Sequence, residues 1–302
     1  MKKKNFYLAG MLLSALIFAG CGSEETAETG TAGDRVALRV MSGIKATRAV
    51  DNLWQKGDAI GVFMLNGEAV DYYNNIKYVT EDAGTNGTFN PSELENTIYL
   101  PDDGTSRDLI AYYPWTDKLT DNVYNIDLSD QTSQEKIDFM TAAKVLGIDK
   151  SNPTVPFVFT HKLSKIEMEV KAGEDISDAD LEGIVVKLTG QPTTGTFNLL
   201  TSTEVSASDD EKTAITLLTA ADGKKAEAIV FPSADFSGMG FTFDTKAVGS
   251  YSCPVPREKA NKFEAGKKYK YTITINKTEI ETTSTITDWE PGNDTGDSGK
   301  AE

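Results

Sequence analysis

The sequence is poor in the residues that do chemistry. It holds one histidine, His161, so a Ser-His-Asp or Cys-His arrangement has to run through that residue. His161 falls in an alternating run with Phe157, Phe159 and Leu163, and no Gly-x-Ser-x-Gly elbow occurs in the chain. A triad needs positioned partners, and none is suggested here, so the expected role is a hydrogen-bonded structural one. One histidine and two cysteines are too few ligands for a zinc site. Lys224-Lys225 follows Gly223 without the upstream glycine spacing of a phosphate loop. Asp288, Asp294 and Asp297 do not match the twelve-residue calcium loop. Carboxylates are numerous, but nothing singles out a catalytic pair. The expectation is therefore no enzyme, no metal and no cofactor. Positive charge is also scarce: 30 Lys and Arg stand against 46 Asp and Glu, a net charge of −16. That field opposes binding to nucleic acid or to an anionic membrane surface.

Long apolar runs are missing as well. The longest, Phe6 to Gly20, has about 15 residues, short of the ~20 that span a bilayer. Lys2-Lys3-Lys4 precedes it, which makes residues 1–20 a targeting segment. The run ends in Ile17-Phe18-Ala19-Gly20-Cys21, which resembles the lipobox of bacterial lipoproteins, with Phe18 where Leu is usual. That resemblance implies acylation of Cys21 and cleavage before it. Gly22-Ser23-Glu24-Glu25 resembles the surface-export signal of lipoproteins in some Gram-negative anaerobes. If Cys21 carries lipid, Cys253 has no partner in the chain, and no intramolecular disulfide is expected. Cys253 is expected as a small buried hydrophobe.

What the chain does have is β pattern. Residues 21–34 contain no large apolar side chain and read as a flexible tether. Val36, Leu38 and Val40 alternate and predict a strand, and Ser42 to Asp51 reads as a loop. Short apolar or alternating runs then recur, with turn signals about every 10 residues, a spacing that argues for sandwiches. Phe157, Phe159, His161 and Leu163 share one parity, while Ile166, Met168 and Val170 take the other. That phase shift predicts a bulge or bend near Ser164-Lys165. Tyr269, Tyr271, Ile273 and Ile275 alternate with polar residues and predict a half-buried strand. A linker is expected at Lys150 to Pro153, dividing an all-β chain into modules 35–153 and 154–289. Residues 290–302, acidic and Gly-rich, read as a polar disordered tail. Trp54, Trp115 and Trp289 are expected mainly as core residues, with stacking on glycans as the alternative use.

Several stretches together resemble one family. Ala46 to Asp58 (ATRAVDNLWQKGD) followed by Ile60-Gly61-Val62-Phe63 resembles the start of fimbrillin-family (Mfa-like) lipoproteins. Asp138-Phe139-Met140 and Phe157 to Ile166 (FVFTHKLSKI) resemble its middle, and Ala265 to Tyr271 (AGKKYKY) with Ile286-Thr287-Asp288-Trp289 resembles its end. The resemblance implies two transthyretin-like β-sandwich domains in tandem and a subunit of type V pili. Such a subunit reaches the outer membrane as a lipoprotein. A trypsin-like protease cuts after an arginine and removes the first strand, and a strand from a neighbouring subunit fills the groove. On this chain the implied positions are Cys21 for lipid, the Arg48–Ala49 bond for cleavage, and Val36, Leu38 and Val40 for the removable strand. Lys45, Arg39 and Arg35 are alternative cut sites. The implied partners are other pilus subunits, the outer membrane through the lipid, and a host or bacterial surface ligand. The tail lacks the apolar alternation of a donor strand, which favours a tip, anchor or accessory subunit over a stalk unit. The alternative function is a monomeric surface lipoprotein that binds glycans through aromatic side chains.

Overall fold

The computed structural model describes residues 35–44, 53–208 and 212–289. Cys21, Arg48, Ala49 and the tail lie outside the described residues. The described chain is β throughout, apart from one turn of α-helix at Gln134–Ile137 and two short 3-10 turns. Among the described residues, no helix is long and apolar enough to cross a membrane.

The first ten strands are β1 (Arg39–Ile44), β2 (Ala59–Asn66), β3 (Ala69–Val70), β4 (Ile76–Thr80), β5 (Asn86–Pro91), β6 (Arg107–Tyr113), β7 (Val123–Asp127), β8 (Met140–Ala142), β9 (Val145–Ile148) and β10 (Thr154–His161). All but β7 belong to one sheet, in the order β3-β2-β4-β5-β1-β10-β8-β6-β9. A further pairing of β2 with β6 closes β2, β4, β5, β1, β10, β8 and β6 into a ring. Closure leaves the strands of the ring without open edges, and open edges are where sheets aggregate. The inward residues alternate, as period two requires: Val40, Ser42 and Ile44 on β1, and Val155, Phe157 and Phe159 on β10. Trp54 sits at the centre of this core, edge-on to Phe89, Tyr113 and Phe159 at 5.0, 5.3 and 5.3 Å between ring centroids.

The later strands are β11 (Ser164–Ala172), β12 (Val185–Thr189), β13 (Thr194–Asn198), β14 (Ser206–Ala207), β15 (Ile215–Thr216), β16 (Leu218–Thr219), β17 (Lys225–Val230), β18 (Gly240–Thr245), β19 (Gly249–Pro254), β20 (Lys267–Ile275) and β21 (Ile280–Asp288). They form a five-stranded sheet, β16-β17-β11-β20-β21, and a four-stranded sheet, β15-β12-β18-β19. Both contribute to a second core, which includes Ile166, Val186, Phe241, Phe243, Tyr271 and Ile273. The alternation expected at Tyr269 to Ile275 is present as β20, paired parallel to β11 and antiparallel to β21.

Two expectations change. The turn at Asp149–Asn152, expected as a linker, returns β10 into the sheet of the strands before it. The phase shift near Ser164-Lys165 marks the end of one strand and the start of another in a different sheet. His161 closes β10 and Ser164 opens β11, so the side chains change parity where the chain changes sheet.

Candidate strand-exchange site

The first strand is held on both sides. β1 runs parallel to β10, with Val40 opposite Val155, Ser42 opposite Phe157 and Ile44 opposite Phe159. It runs antiparallel to β5, with Val40 opposite Phe89 and Ser42 opposite Gly87. The pairing starts earlier than β1 itself. Leu38 N donates to Ile98 O at 2.9 Å, and Leu100 N donates to Val36 O at 3.0 Å. The arrangement is therefore an inserted strand, not one lying on an edge.

Its inner face carries Val36, Leu38, Val40, Ser42 and Ile44. Leu38, Val40 and Ile44 are 5%, 1% and 6% exposed. Burying three such side chains contributes on the order of 5–9 kcal/mol, comparable with the whole stability of an ordinary domain. The outer face is different: Met41 is 52% exposed. The loop expected from Ser42 onward does not begin there, because Ser42, Gly43 and Ile44 complete the strand. The alternation continues through Ser42, but a polar residue and a glycine hide it. Opposite Ser42 stands Gly87, where a Cβ would lie 3.0 Å from Thr80 Oγ1 and 3.5 Å from Trp54 Cδ1. Ser42 Oγ is buried without a hydrogen-bond partner.

Withdrawing β1 would leave the β5 and β10 edges facing each other across about 10 Å, two strand spacings. The floor of that slot would be Phe89, Phe157, Phe159 and Trp54. Of the alternative cut sites, Arg39 lies in β1, and the Arg35 guanidinium sits over the Tyr99 ring at 3.9 Å.

The remaining motifs meet elsewhere. His161 is 3% exposed and lies on Trp289, with ring centroids 4.1 Å apart and planes 10° apart. Its Nδ1 is 2.8 Å from Asp138 Oδ1, a carboxylate oxygen that accepts from it. Trp289 N donates to Gly266 O at 2.8 Å, and Gly266 N donates to Leu163 O at 2.8 Å. Four stretches far apart in the chain are thus tied at one place. They frame a third core of Phe63, Tyr112, Tyr124, Phe139, Phe197, Phe231 and Trp289, drawn from early and late strands alike. β7 also pairs with β13 in a three-stranded sheet, and the Gln131 amide bridges to the main chain of Ile229. Sequence patterning did not find this junction, since only contacts distant in the chain define it.

Trp54 and Trp289 are 1% and 2% exposed, so neither offers a face for stacking. Trp115 is half-buried, its Nε1 donating to Asn75 O at 3.3 Å and its ring under the Lys77 amine. Among the described residues, no group of three or more potential metal ligands gathers. Cys253 is half-buried on β19, and burial pushes its thiol up from the ordinary value.

Comparison with known proteins follows the same outline. A protein of Bacteroides uniformis, named as a candidate fimbrium subunit, Fim1C, is 44% identical over 308 aligned positions covering 100% of both chains. The crystal structure of a candidate cell adhesion protein from Bacteroides uniformis superposes with a TM-score of 0.79 at 42% identity. It covers 86% of this chain and 100% of that one. A candidate cell adhesion protein from Bacteroides ovatus shares the fold, with a TM-score of 0.68 at 24% identity over 86% of this chain and 99% of that one. The Fimbrillin-like family matches residues 47–289, ending at the tryptophan stacked on His161. With that span and these relatives, the chain belongs to the fimbrillin-like family.

Proposed function

We propose that the chain is a structural and adhesive subunit of type V pili, assembled by strand exchange at the β1 slot. The observation that carries this is the position of β1: an N-terminal strand inserted between β5 and β10, whose inner face packs into the core those strands share. A sheet opened there is an acceptor for a strand added from outside. Acylation of Cys21 places the precursor on the outer membrane, facing outward. Cleavage between Arg48 and Ala49 then frees the strand bearing Val36, Leu38 and Val40. Two tandem sandwiches, transthyretin-like in topology, fit the two large cores.

The donated strand would have to be β21, since the residues after it lack apolar alternation. It pairs with β20 alone, and its inward residues Ile280, Thr282, Ser284 and Ile286 are only half-buried. They repeat, in order and size, Leu38 just before β1 and Val40, Ser42 and Ile44 on it. Taking β21 from its own sheet removes Trp289 from the junction, a cost that favours a tip, anchor or accessory place over a repeating stalk. The burial of Trp54 and Trp289 weighs against the alternative of a monomeric lipoprotein that stacks glycans on these rings.

Trypsin treatment of the purified protein tests this. We expect one early cut after Arg48, with residues up to 48 held until a competing strand peptide displaces them and oligomers form. An Arg48→Ala variant that assembles as readily as the parent would remove the processing step. Cleavage that yields neither strand release nor oligomers would remove strand exchange.

A further inference from the structure

β21 is the longest edge strand among the described residues. It ends the five-stranded sheet and pairs with β20 alone. The other strands at sheet ends run to two residues in β3, β14, β15 and β16, four in β9, five in β7 and six in β19, against nine in β21. Long edges are usually blunted by lysine, proline or a bulge, because an open edge invites another strand. β21 has no lysine and no proline, and its register to β20 is unbroken from Ile280 to Asp288.

The ladder to β20 decides which groups face outward. Asn276 N donates to Glu279 O at 2.9 Å and Trp289 N donates to Gly266 O at 2.8 Å, just beyond the two ends of β21. Bonded residues alternate in an antiparallel pair, so Glu281, Thr283, Thr285 and Thr287 turn their main-chain groups to β20. Those of Ile280, Thr282, Ser284 and Ile286 therefore face the open edge. The same four side chains are only half-buried, and Ser284 Oγ is buried without a hydrogen-bond partner.

The sequence of this edge is nearly its own reverse. Residues 280–286 read IETTSTI, and backwards ITSTTEI. Antiparallel pairing with a second copy, about a two-fold axis at Thr283, sets Ile280 against Ile286, Thr282 against Ser284, Glu281 against Thr285 and Thr283 against its twin. The outward main-chain groups then meet one another, and the unpaired Ser284 hydroxyl meets that of Thr282. No like charges are opposed: Glu281 comes beside Thr285, whose neighbour on β20 is Lys270. A two-fold contact has to be self-complementary, and a palindromic strand is so by construction.

We propose that β21 is a homotypic docking edge, through which two copies of this chain pair antiparallel and join their five-stranded sheets into one. Pairing keeps β21 in its own sheet and β1 in its slot, so it needs neither the cut nor the strand exchange. A β21 held this way is also withheld from donation. One strand pair is a small interface, so the dimer is weak and forms by crowding at a surface or at high concentration.

Sedimentation velocity of the uncut protein, from micromolar to millimolar concentration, tests the proposal, with hydrogen exchange to locate the contact. We expect a monomer–dimer equilibrium and added protection at the amides of Ile280, Thr282, Ser284 and Ile286 as the dimer forms. Thr283 and Thr285 are protected by β20 throughout. Thr283→Lys, on an exposed side chain, opposes two ammonium groups and should weaken the dimer at least about tenfold at unchanged melting temperature. In a chain with Cys21→Ser and Cys253→Ser, Thr283→Cys should cross-link to its twin on mild oxidation, and Thr285→Cys, which faces Glu281 instead, should not. A monomer at every concentration, a dimer that leaves those four amides exchanging freely, a dimer untouched by Thr283→Lys, or equal cross-linking by Thr283→Cys and Thr285→Cys would each overturn the proposal.

Discussion

His161 and Trp289 lie face to face, 4.1 Å between ring centroids, although 128 positions separate them in the chain. Asp138 holds the imidazole from the side, 2.8 Å from Nδ1, and the main chain of Gly266 holds the indole's residue. The single histidine thus serves as packing and as a hydrogen-bonding joint. It fastens Trp289, the residue that follows β21, to the end of β10.

Removing that fastening should be costly. Trp289→Ala is expected to destabilise the protein by about 3–5 kcal/mol, the usual range for a buried aromatic truncated to alanine. Trp289→Phe should recover part of the loss by keeping a ring against His161. Urea unfolding followed by circular dichroism measures both. A loss below about 1 kcal/mol for the alanine variant, the level of a surface change, would show that the junction does not bear on stability.

The two faces of β1 should respond differently to the same substitution. Leu38→Ala and Ile44→Ala each remove a buried side chain and should cost about 2–5 kcal/mol. Met41→Ala, on the exposed face, should stay within about 0.5 kcal/mol. Equal effects at Leu38 and Met41 in chemical denaturation would mean that β1 does not close the sheet in solution.

Ser42 offers the opposite sign. Its hydroxyl is buried without a partner, and a buried unpaired polar group costs about 1–3 kcal/mol. Ser42→Ala removes the unpaired hydroxyl without adding volume and should be neutral or stabilising in thermal melts. A clear drop in melting temperature would show that the hydroxyl is satisfied in solution.

Alkali should unfold the protein through its buried tyrosines. Burial chiefly pushes Tyr78, Tyr124 and Tyr269 up from 10.0 to about 12. Because the folded value is the raised one, their contribution is fully present below pH 10 and is lost as pH rises from 10.0 towards about 12. Tyrosinate absorbance should therefore lag behind that of free tyrosine and rise together with the loss of circular dichroism. Full ionisation near pH 10 with the fold intact would contradict the burial of these rings.

Much of the fold was legible because strand signals are local. Alternation at Tyr269 to Ile275 and the parity change around Ser164 follow from side chains pointing to opposite faces of a strand, whatever the strand pairs with. The end of β1 was less legible, since Ser42-Gly43 reads as a turn by residue type. It is a strand because Ser42 and Gly43 continue the ladder to β10 and β5, pairings that residue type does not announce.

The sequence by itself determined that the chain is all-β, that any catalytic triad would have to run through one histidine, and that four short motifs point to the fimbrillin-like family. Composition and period carry those conclusions, and neither depends on distant neighbours. Only the tertiary structure decided that β1 is an inserted strand and not an edge. It alone decided which cores hold Trp54 and Trp289 and brought Asp138, His161, Gly266 and Trp289 to one junction. The physical reason is sequence separation: a β-sheet is made of pairings between residues far apart, and period two says which face a side chain takes but not which strand lies beside it.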